Sequence, residues 1–110
     1  MTDCIFCKII NKEIPSNFVY ENEDVIAIKD LHPQAETHVL VIPKIHVASL
    51  AELEDEKLMG KLLQGVKATA KVLGLSDFRT IINTGAGAGQ TVFHLHLHIL
   101  SGKKLTEKLG

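Results

Sequence analysis

The sequence predicts an α+β domain in which an antiparallel β-sheet is covered on one face by a single long helix. Three observations support this fold class: one dominant helical pattern, several short strand-like runs, and mostly short connections between them. The predicted order is short helix, two strands of a hairpin, strand, long helix, strand and strand. At 110 residues, the chain is expected to form one domain over residues 1–110 around a modest core.

The composition limits the classes of partner. Hydrophobic residues make up 45% of the chain and charged residues 23%, which is ordinary for a soluble globular protein. A formal net charge of −1 argues against electrostatic binding of nucleic acid. No apolar run has the length of a membrane span, and no N-terminal segment has the pattern of a signal peptide. We therefore expect a cytoplasmic protein with neither nucleic acid nor membrane as a partner.

A short helix is predicted at the start of the chain. Asp3 can cap this helix, which should end at about Asn11, because Pro15 disfavours helical structure at the residue before it. Cys4 and Cys7 lie one helical turn apart, so both sulfur atoms should face the same way.

Three strands should follow this helix. Residues 18–21 and 25–29 are rich in apolar residues and flank the polar turn at 22–24, which predicts a hairpin. Residues 38–42 predict a third strand, and Pro43 should stop it because proline cannot donate to the sheet ladder.

One long helix is predicted in the middle of the chain. Ser49 and Glu52 have the spacing of a capping box for a brief helical turn, and Asp55 should cap the long helix itself. Gly74 stands where a C-terminal glycine belongs. The apolar stripe of the helix consists of Leu58, Leu62, Val66, Ala70 and Leu73, widened by Met59 and Leu63. Two glycines weaken the helix by about 1 kcal/mol each relative to alanine and should permit close packing: Gly60 and Gly65.

Two further strands are predicted over residues 78–82 and 94–100, before a loose tail at 103–110. In residues 94–100 histidine alternates with aliphatic residues, so a strand would project all three imidazoles from one face and bury the aliphatic side chains. A helix would scatter the imidazoles. Imidazole can ligate a metal, transfer protons near neutral pH or attack phosphorus. The histidines are His94, His96 and His98, and the aliphatic residues are Leu95, Leu97 and Ile99.

A glycine-rich loop precedes the histidines. Gly85, Gly87 and Gly89 allow backbone N–H groups to crowd around an anion without Cβ clashes. Alone, such a loop could equally be a flexible hairpin connection. Because this loop leads directly into a row of histidines, it favours a phosphate-binding segment beside a nucleophile.

The pattern His94-x-His96-x-His98, followed by two apolar residues, resembles the histidine-triad signature of the HIT superfamily. Further segments resemble the Hint-like branch of histidine triad nucleotide-binding proteins: Ile5-Phe6, Lys8-Ile9-Ile10, Glu13-Ile14-Pro15, Asp30, Pro33-Gln34-Ala35, Thr37-His38, Ile42-Pro43-Lys44 and Gly89-Gln90-Thr91. The resemblance covers nearly the whole chain. It implies the HIT fold, and members of the Hint-like branch are commonly homodimers.

The resemblance also implies catalytic roles for three histidines. His96 matches the nucleophile that attacks the α-phosphorus of a nucleotide derivative and forms a transient nucleotidyl-histidine. His98 matches a residue that contacts the phosphate and the leaving group. His38 matches the residue that orients His96.

The nucleotide contacts implied by the resemblance fall on separate segments. Phosphate contacts are expected from Asn83, Gly89, Gln90 and Thr91, with backbone N–H groups of the last three and the Thr91 hydroxyl as donors. Asp30 matches the carboxylate that accepts both ribose hydroxyls. The apolar wall around the base is expected from Phe6, Ile28 and Leu31. Position 28 is often aromatic in close relatives, so the aliphatic Ile28 leaves stacking on the base open.

The two cysteines suggest metal or redox chemistry, because C-x-x-C in a chain without an export signal seldom forms a structural disulfide. A redox pair would normally follow a strand, and no strand precedes Cys4. Tetrahedral zinc needs two ligands beyond Cys4 and Cys7. The resemblance supplies His46 and His94, which implies a structural zinc ion and leaves His96 and His98 free for catalysis.

These residues lead to an enzyme hypothesis with three alternatives. The resemblance implies a purine nucleoside phosphoramidase that binds nucleotides such as AMP or GMP and cleaves AMP-lysine or AMP-NH2 at the α-phosphate. One alternative is a dinucleoside polyphosphate hydrolase, although Gly89-Gln90-Thr91 and the short chain favour the Hint-like branch. Another is a regulatory nucleotide-binding protein with incidental catalysis. The last is a metallohydrolase in which His94, His96 and His98 all ligate a catalytic metal.

Overall fold

The computed structural model describes residues 4–102 and residue 105. It contains a five-stranded antiparallel sheet with strand order β1-β2-β3-β5-β4, one long helix and one short helix, which confirms the predicted α+β class. No helix in this described part is long and apolar enough to cross a membrane. The elements are α1 (Ile5–Ile10), β1 (Phe18–Glu21), β2 (Val25–Lys29), β3 (Thr37–Pro43), α2 (Glu56–Val72), β4 (Arg79–Ile81) and β5 (Leu97–Ser101), with 3-10 turns at Leu50–Glu52 and Ala86–Ala88.

The N-cap of α1 differs from the prediction. Cys4 takes this position, and its sulfur accepts a hydrogen bond from the Cys7 N–H at 3.4 Å. Asp3, the predicted cap, lies outside the described residues, as does most of the predicted tail at 103–110. The helix ends at Ile10, and the Asn11 N–H closes its last turn on the Cys7 carbonyl.

The strands lie close to their predicted positions, with one correction in β3 and one in β4. β3 includes Pro43, which pairs with Val25, so proline ends the strand from within it rather than stopping it beforehand. Proline fits there because it holds the last ladder position. β4 is shorter than predicted, because only Arg79–Ile81 pairs with β5.

The histidine stretch is a strand only in its second half. β5 begins at Leu97, opposite Val41, and residues 94–96 diverge from β3 toward the segment that follows it. There the Leu95 N–H donates to the Val47 carbonyl at 2.8 Å. The alternation of side chains nevertheless persists, because Leu95, Leu97 and Ile99 all enter the core on the α2 side.

Helix α2 packs on one face of the sheet as its apolar stripe predicts. Asp55 caps it by accepting from the N–H groups of Lys57 and Leu58. A Cβ on Gly65 would lie 3.0 Å from a Val25 methyl group, so this glycine does permit close packing. The same expectation for Gly60 is wrong, since a Cβ there would meet open space.

Two details at the edges of α2 also differ from expectation. Leu63 is 56% exposed and so lies outside the buried stripe. Ser49 precedes the 3-10 turn, but its side chain makes no capping bond. The predicted turn therefore forms without the predicted capping box. At the other end, Gly74 has a φ of +70°, a left-handed conformation that favours glycine after the helix.

Both faces of the sheet are buried, and they bury different layers. Val25 and Ala27 of β2 face α2, whereas Ile26 and Ile28 face α1. The second layer consists of Phe6, Ile9, Ile26, Ile28, Leu40 and Ile42. The candidate site lies at the margin of this smaller layer.

Candidate active site

A cavity of about 290 Å³ lies where α1, the end of β2 and the start of β5 meet. Seven of the predicted site residues line it: Phe6, Ile28, Asp30, Leu31, Thr91, His96 and His98. Its wall is largely apolar near α1, whereas carboxylate and imidazole groups stand at its other side. Four of the predicted catalytic or nucleotide contacts are absent from this wall: His38, Asn83, Gly89 and Gln90.

His96 is oriented by the backbone. Its Nδ1 lies 2.8 Å from the carbonyl oxygen of His94, and because a carbonyl can only accept, Nδ1 carries the proton. In the neutral ring Nε2 then keeps its lone pair. The Phe6 ring packs edge-on against the imidazole with the centroids 5.1 Å apart, and the side chain is buried. These contacts hold the tautomer that a nucleophilic Nε2 requires.

The predicted role of His38 requires correction. We expected His38 to orient His96, but its Nε2 lies 2.9 Å from Nδ1 of His98. The cause is the register of the sheet: Leu40 of β3 pairs with His98, and His38 pairs with Leu100, which places both imidazoles on the same face. His38 therefore positions His98, whereas the nucleophile candidate is positioned by the His94 carbonyl.

The hydrogen bonds of His38 fix a sequence of tautomers. The Gln34 N–H donates to Nδ1 of His38 at 3.0 Å, so the proton of the neutral ring is on Nε2. That Nε2–H donates to Nδ1 of His98, and His98 consequently carries its proton on Nε2. His98 thus presents an N–H donor. The contact of Gln34 could not be predicted from the sequence, because its donor is a backbone N–H, which leaves no signal in residue type.

Burial keeps these histidines neutral. The pKa of His98 is lowered to about 4, chiefly by desolvation and to a smaller extent by the neighbouring His96 and His38, while Asp30 opposes the shift. Desolvation also lowers the pKa of His38, again against the effect of Asp30. Near neutral pH both rings are uncharged, so the tautomers above are the relevant ones.

Asp30 holds its carboxylate beside these histidines. One oxygen, Oδ1, accepts the His32 N–H at 2.7 Å, which fixes the loop after β2. The other, Oδ2, lies 3.4 Å from Nε2 of His38. Each carboxylate oxygen has a second lone-pair direction, so Asp30 can still accept hydrogen bonds from a ligand.

The glycine-rich loop has a different internal structure from the one expected. The N–H groups of Gly89 and Gln90 donate within the loop, to the carbonyls of Ala86 and Gly85, both at 3.1 Å. The Gln90 side chain accepts from the Gly85 N–H and donates to the Ala48 and Val92 carbonyls. Gln90 therefore braces the loop, and its side chain is not free to bind a phosphate. Thr91 is the predicted phosphate contact that lines the cavity.

Next to the cavity, Cys4, Cys7, His46 and His94 form a second cluster in which one donor atom of each lies within 4.8 Å of the others. Nδ1 of His94 is 3.3 Å from the Cys4 sulfur, 3.6 Å from the Cys7 sulfur and 3.2 Å from Nδ1 of His46. Zinc with tetrahedral N and S ligands has ligand-to-ligand edges of about 3.3–3.8 Å. The four residues therefore fit a closed zinc site.

The tautomer of His94 supports the same fit. Its Nε2 lies 2.8 Å from the Pro43 carbonyl, so Nε2 donates and Nδ1 turns a lone pair toward the cysteines. Burial lowers the pKa of His94, which favours this neutral form. His94 thus contributes its ring to the metal cluster, the name used below for Cys4, Cys7, His46 and His94. Its backbone carbonyl orients His96.

The structure separates the three histidines of the triad. Within residues 4–102 and 105, the two groupings able to hold a metal are Cys4, Cys7, His46 with His94, and Asp30, His38 with His98. His96 is in neither of them. A single metal ligated by all three triad histidines is therefore not supported by the geometry.

Comparisons with known proteins show which domain family this chain resembles. A family model for the HIT domain matches residues 11–105. Protein HitA of Neisseria gonorrhoeae is 52% identical over 103 residues, which cover 91% of this chain and 96% of HitA. The 14 kDa zinc-binding protein of Zea mays is 46% identical over 106 residues, which cover 92% of this chain and 83% of the relative.

Solved structures show the same fold. A HIT family hydrolase from Clostridium thermocellum superposes with a TM-score of 0.93 at 43% identity, with 99% of this chain and 98% of that chain covered. The histidine triad nucleotide-binding protein from Candida albicans superposes with a TM-score of 0.83 at 34% identity, with 98% and 87% covered.

Proposed function

This chain belongs to the HIT family, and from that premise we propose that it is a nucleotide-binding hydrolase that uses His96 as its nucleophile. The observation that carries the proposal is the hydrogen bond from Nδ1 of His96 to the His94 carbonyl, which leaves Nε2 unprotonated. Relatives named as a hydrolase and as a nucleotide-binding protein support the same class.

The finer proposal is a purine nucleoside phosphoramidase. Nε2 of His96 attacks the α-phosphorus, the P–N bond breaks, and the amine departs with one proton taken up from solvent. Water then attacks the nucleotidyl-histidine, releases the nucleoside monophosphate and returns one proton to solvent. The sum is phosphoramidate plus water giving nucleoside monophosphate plus amine, with AMP-NH2 or AMP-lysine as representative substrates.

The surrounding groups support each part of this reaction. The Nε2–H of His98 donates to the phosphate or to the departing nitrogen, in the direction that its tautomer dictates. Thr91 offers a hydroxyl from the cavity wall, and Asp30 offers the remaining lone pairs of its carboxylate to ribose hydroxyls. The apolar side of the cavity accommodates the base through Phe6, Ile28 and Leu31. Of these, Leu31 is 80% exposed, so a bound base would cover it.

We further propose that the metal cluster holds a structural zinc ion and that the protein is a homodimer. Two thiolates and two imidazoles complete a tetrahedral shell, so the chemistry that zinc would supply is cross-linking of the chain, with no open position for water. The cluster joins α1 to the segment after β3 and to the start of the histidine stretch. A dimer would follow the habit of the Hint-like branch.

A mass measurement tests the nucleophile. We would mix the protein with an adenosine phosphoramidate, quench in base on the time scale of one turnover, and measure intact mass. Base is the suitable quench because a phosphorus–nitrogen bond to histidine is labile in acid. The expected result is an adenylyl adduct that maps to His96 and is absent from the His96→Ala variant. An adduct on another residue would overturn the assignment.

A second candidate has one observation in its favour. Asp30, His38 and His98 are close enough to hold a metal ion, which would make the protein a metallohydrolase. Binding there would take the nitrogens that now bond to each other at 2.9 Å. Activity that survives exhaustive chelation at a temperature where the protein stays folded would exclude this candidate.

A further inference from the structure

The two cysteines of the metal cluster lie close enough to react with each other. Cys4 caps α1, and its sulfur accepts the Cys7 N–H at 3.4 Å, so this sulfur already lies beside residue 7. The two sulfur atoms are within 4.8 Å of each other. The Lys8 N–H donates to the Cys4 carbonyl at 3.1 Å, which closes a helical turn over both cysteines. In such a turn their Cα atoms are about 5 Å apart, within the range of about 4.4–6.8 Å found in disulfides.

Cys4 is also accessible to a small oxidant. Both cysteines are half-buried and both are free thiols. Cys4 and His46 line a hollow of about 540 Å³ that the proposed reaction does not use. Ile5 and Phe93 line the same hollow and are 44% and 48% exposed, so the hollow opens to solvent. Peroxide that enters it can therefore reach the Cys4 sulfur.

A disulfide and a zinc ion would hold the chain together in different ways. Zinc would join Cys7 to His46 and Cys4 to His94, pairs that are 39 and 90 positions apart in the chain. A bond between Cys4 and Cys7 closes a loop of only four residues, and a short loop constrains the unfolded chain least. It also removes both sulfur ligands and leaves two imidazoles for a metal that takes four ligands. Oxidation thus exchanges a long-range cross-link for a local one.

We propose that peroxide converts Cys4 and Cys7 into a reversible disulfide and that zinc leaves the metal cluster as a result. The inference rests on the zinc site proposed above and is independent of the reaction at His96. The two thiolates lose one electron each and form the S–S bond. Hydrogen peroxide takes up these two electrons with two protons and becomes two molecules of water, while the zinc ion departs with its charge unchanged. The two cysteines are then a redox-sensitive device that sets the stability of the fold.

The packing of α1 limits what this device affects. Phe6 lies between the two cysteines, and its ring packs edge-on against His96 with the centroids 5.1 Å apart. Phe6 and Ile9 belong to the buried layer under the sheet, so packing still anchors α1 after the metal leaves. The bond from His96 to the His94 carbonyl needs no metal. Oxidation should therefore lower the stability of the protein before it disturbs the orientation of His96.

Oxidation of zinc-loaded protein tests the exchange. Hydrogen peroxide is added in steps, and zinc release, free thiols, intact mass and melting temperature are followed in the same samples. We expect one zinc ion released for each pair of thiols lost, a mass lower by two hydrogens than that of the metal-free reduced chain, and a peptide that links Cys4 to Cys7. The melting temperature should fall by about 10 °C, to that of the Cys4→Ser/Cys7→Ser double variant, because neither protein has the long-range cross-link. A thiol reductant with added zinc should restore the original value.

Single variants separate the disulfide from the loss of metal. His46→Ala keeps both cysteines but lacks a zinc ligand, so it should form the same disulfide with little further change in melting temperature. Cys7→Ser keeps one thiol, so peroxide should add oxygen to Cys4 and form no bond within the chain. The matched control is Lys67→Ala, an exposed position on α2, which should respond as the wild type does.

Four results would overturn the proposal. The first is that zinc and both thiols are retained at a peroxide dose that fully oxidises free glutathione in the same sample. The second is a fall in melting temperature with both thiols intact, which would locate the damage elsewhere, for example at Met59. The third is oxygen added to the cysteines, or disulfides between chains, in place of the bond from Cys4 to Cys7. The fourth is protein that binds no zinc, which would reject the zinc site and the exchange together. The test uses no nucleotide, so hydrolysis at His96 is decided separately.

Discussion

Two histidine clusters flank His96, and they differ in how their nitrogen atoms are satisfied. In the cluster of His38 and His98, every hydrogen bond joins a donor to an acceptor, from the Gln34 N–H through both rings. In the cluster of His46 and His94, two Nδ1 atoms lie 3.2 Å apart beside two sulfurs, and the proton of His94 is committed to Pro43. The first arrangement is complete with protons alone, whereas the second gathers four donor atoms that could hold a metal ion. In His38 and His94, one ring nitrogen bonds to a backbone group. The partner of the other ring nitrogen therefore decides the role of the side chain.

The largest effect on catalysis is expected from a substitution of His96, which lies between the two clusters. His96→Ala should reduce kcat by more than about 100-fold while AMP binding persists, because the ribose and phosphate contacts remain. Steady-state kinetics and calorimetric titration with AMP would measure this, with the exposed Lys67→Ala on α2 as control. A variant retaining more than about one hundredth of wild-type kcat would show that His96 is not the nucleophile.

The metal cluster should affect stability more than catalysis. Cys4→Ser combined with Cys7→Ser should abolish zinc binding and lower the melting temperature by about 10 °C or more, because metal binding is linked to folding. Serine at position 4 can still cap α1, so the helix start is preserved. Metal analysis, melting curves and activity below the melt give the readouts.

Two results would contradict the closed zinc site. Zinc bound undiminished in the double variant would reject these ligands. Activity lost in step with zinc, from protein that is still folded, would favour a catalytic metal instead.

In the cluster of His38 and His98, a substitution of the neighbouring Asp30 should selectively weaken binding of the ribose. Asp30→Asn should weaken ribonucleotide binding by about 10- to 100-fold, since each charge-assisted hydrogen bond contributes about 1.5–3 kcal/mol. Binding of 2′-deoxy analogues should weaken less, because they lack one of the two hydroxyls. Separate titrations of the protein with AMP and with 2′-deoxy-AMP measure the difference. Equal losses of affinity for the two ligands would mean that Asp30 only shapes its loop.

The smallest effect concerns pH. The pKa of His98 is about 4 in the folded protein, whereas an unfolded histidine titrates near 6.5. Between about pH 6.5 and 4 the unfolded chain binds a proton that the folded chain does not, so stability should fall as the pH falls through this window. Denaturant unfolding at pH 7 and pH 5 should show this loss, and His98→Asn should reduce it. An NMR titration of His98 with a midpoint near 6.5 would contradict the assignment.

Much of the fold follows from local sequence pattern. The hairpin, the stripe of α2 apart from the exposed Leu63, and the cap at Asp55 depend on near neighbours in the chain, and they were predicted correctly. The position where β5 begins depends instead on where β3 stops pairing, which is a long-range property. For that reason the alternation in residues 94–100 predicted a longer strand than the structure contains.

The candidate site shows a similar division. Residue type identified the histidines and cysteines, and the resemblance grouped His46 with the cysteines, as the structure does. The partner of His38 could not be predicted, because it depends on strand register. Nor could the role of Gln90, whose amide is used by backbone groups of three separate residues.

The hydrogen bond from His96 to the carbonyl of residue 94 has an evolutionary consequence. Every amino acid supplies that carbonyl, so the His96 ring would keep its orientation whichever side chain position 94 carried. Substitutions that dismantle the metal cluster would thus remain available to descendants, provided that packing around α1 compensates for the lost cross-link. In such a lineage a metal ion at this cluster could be gained or lost while the orientation of His96 is inherited unchanged.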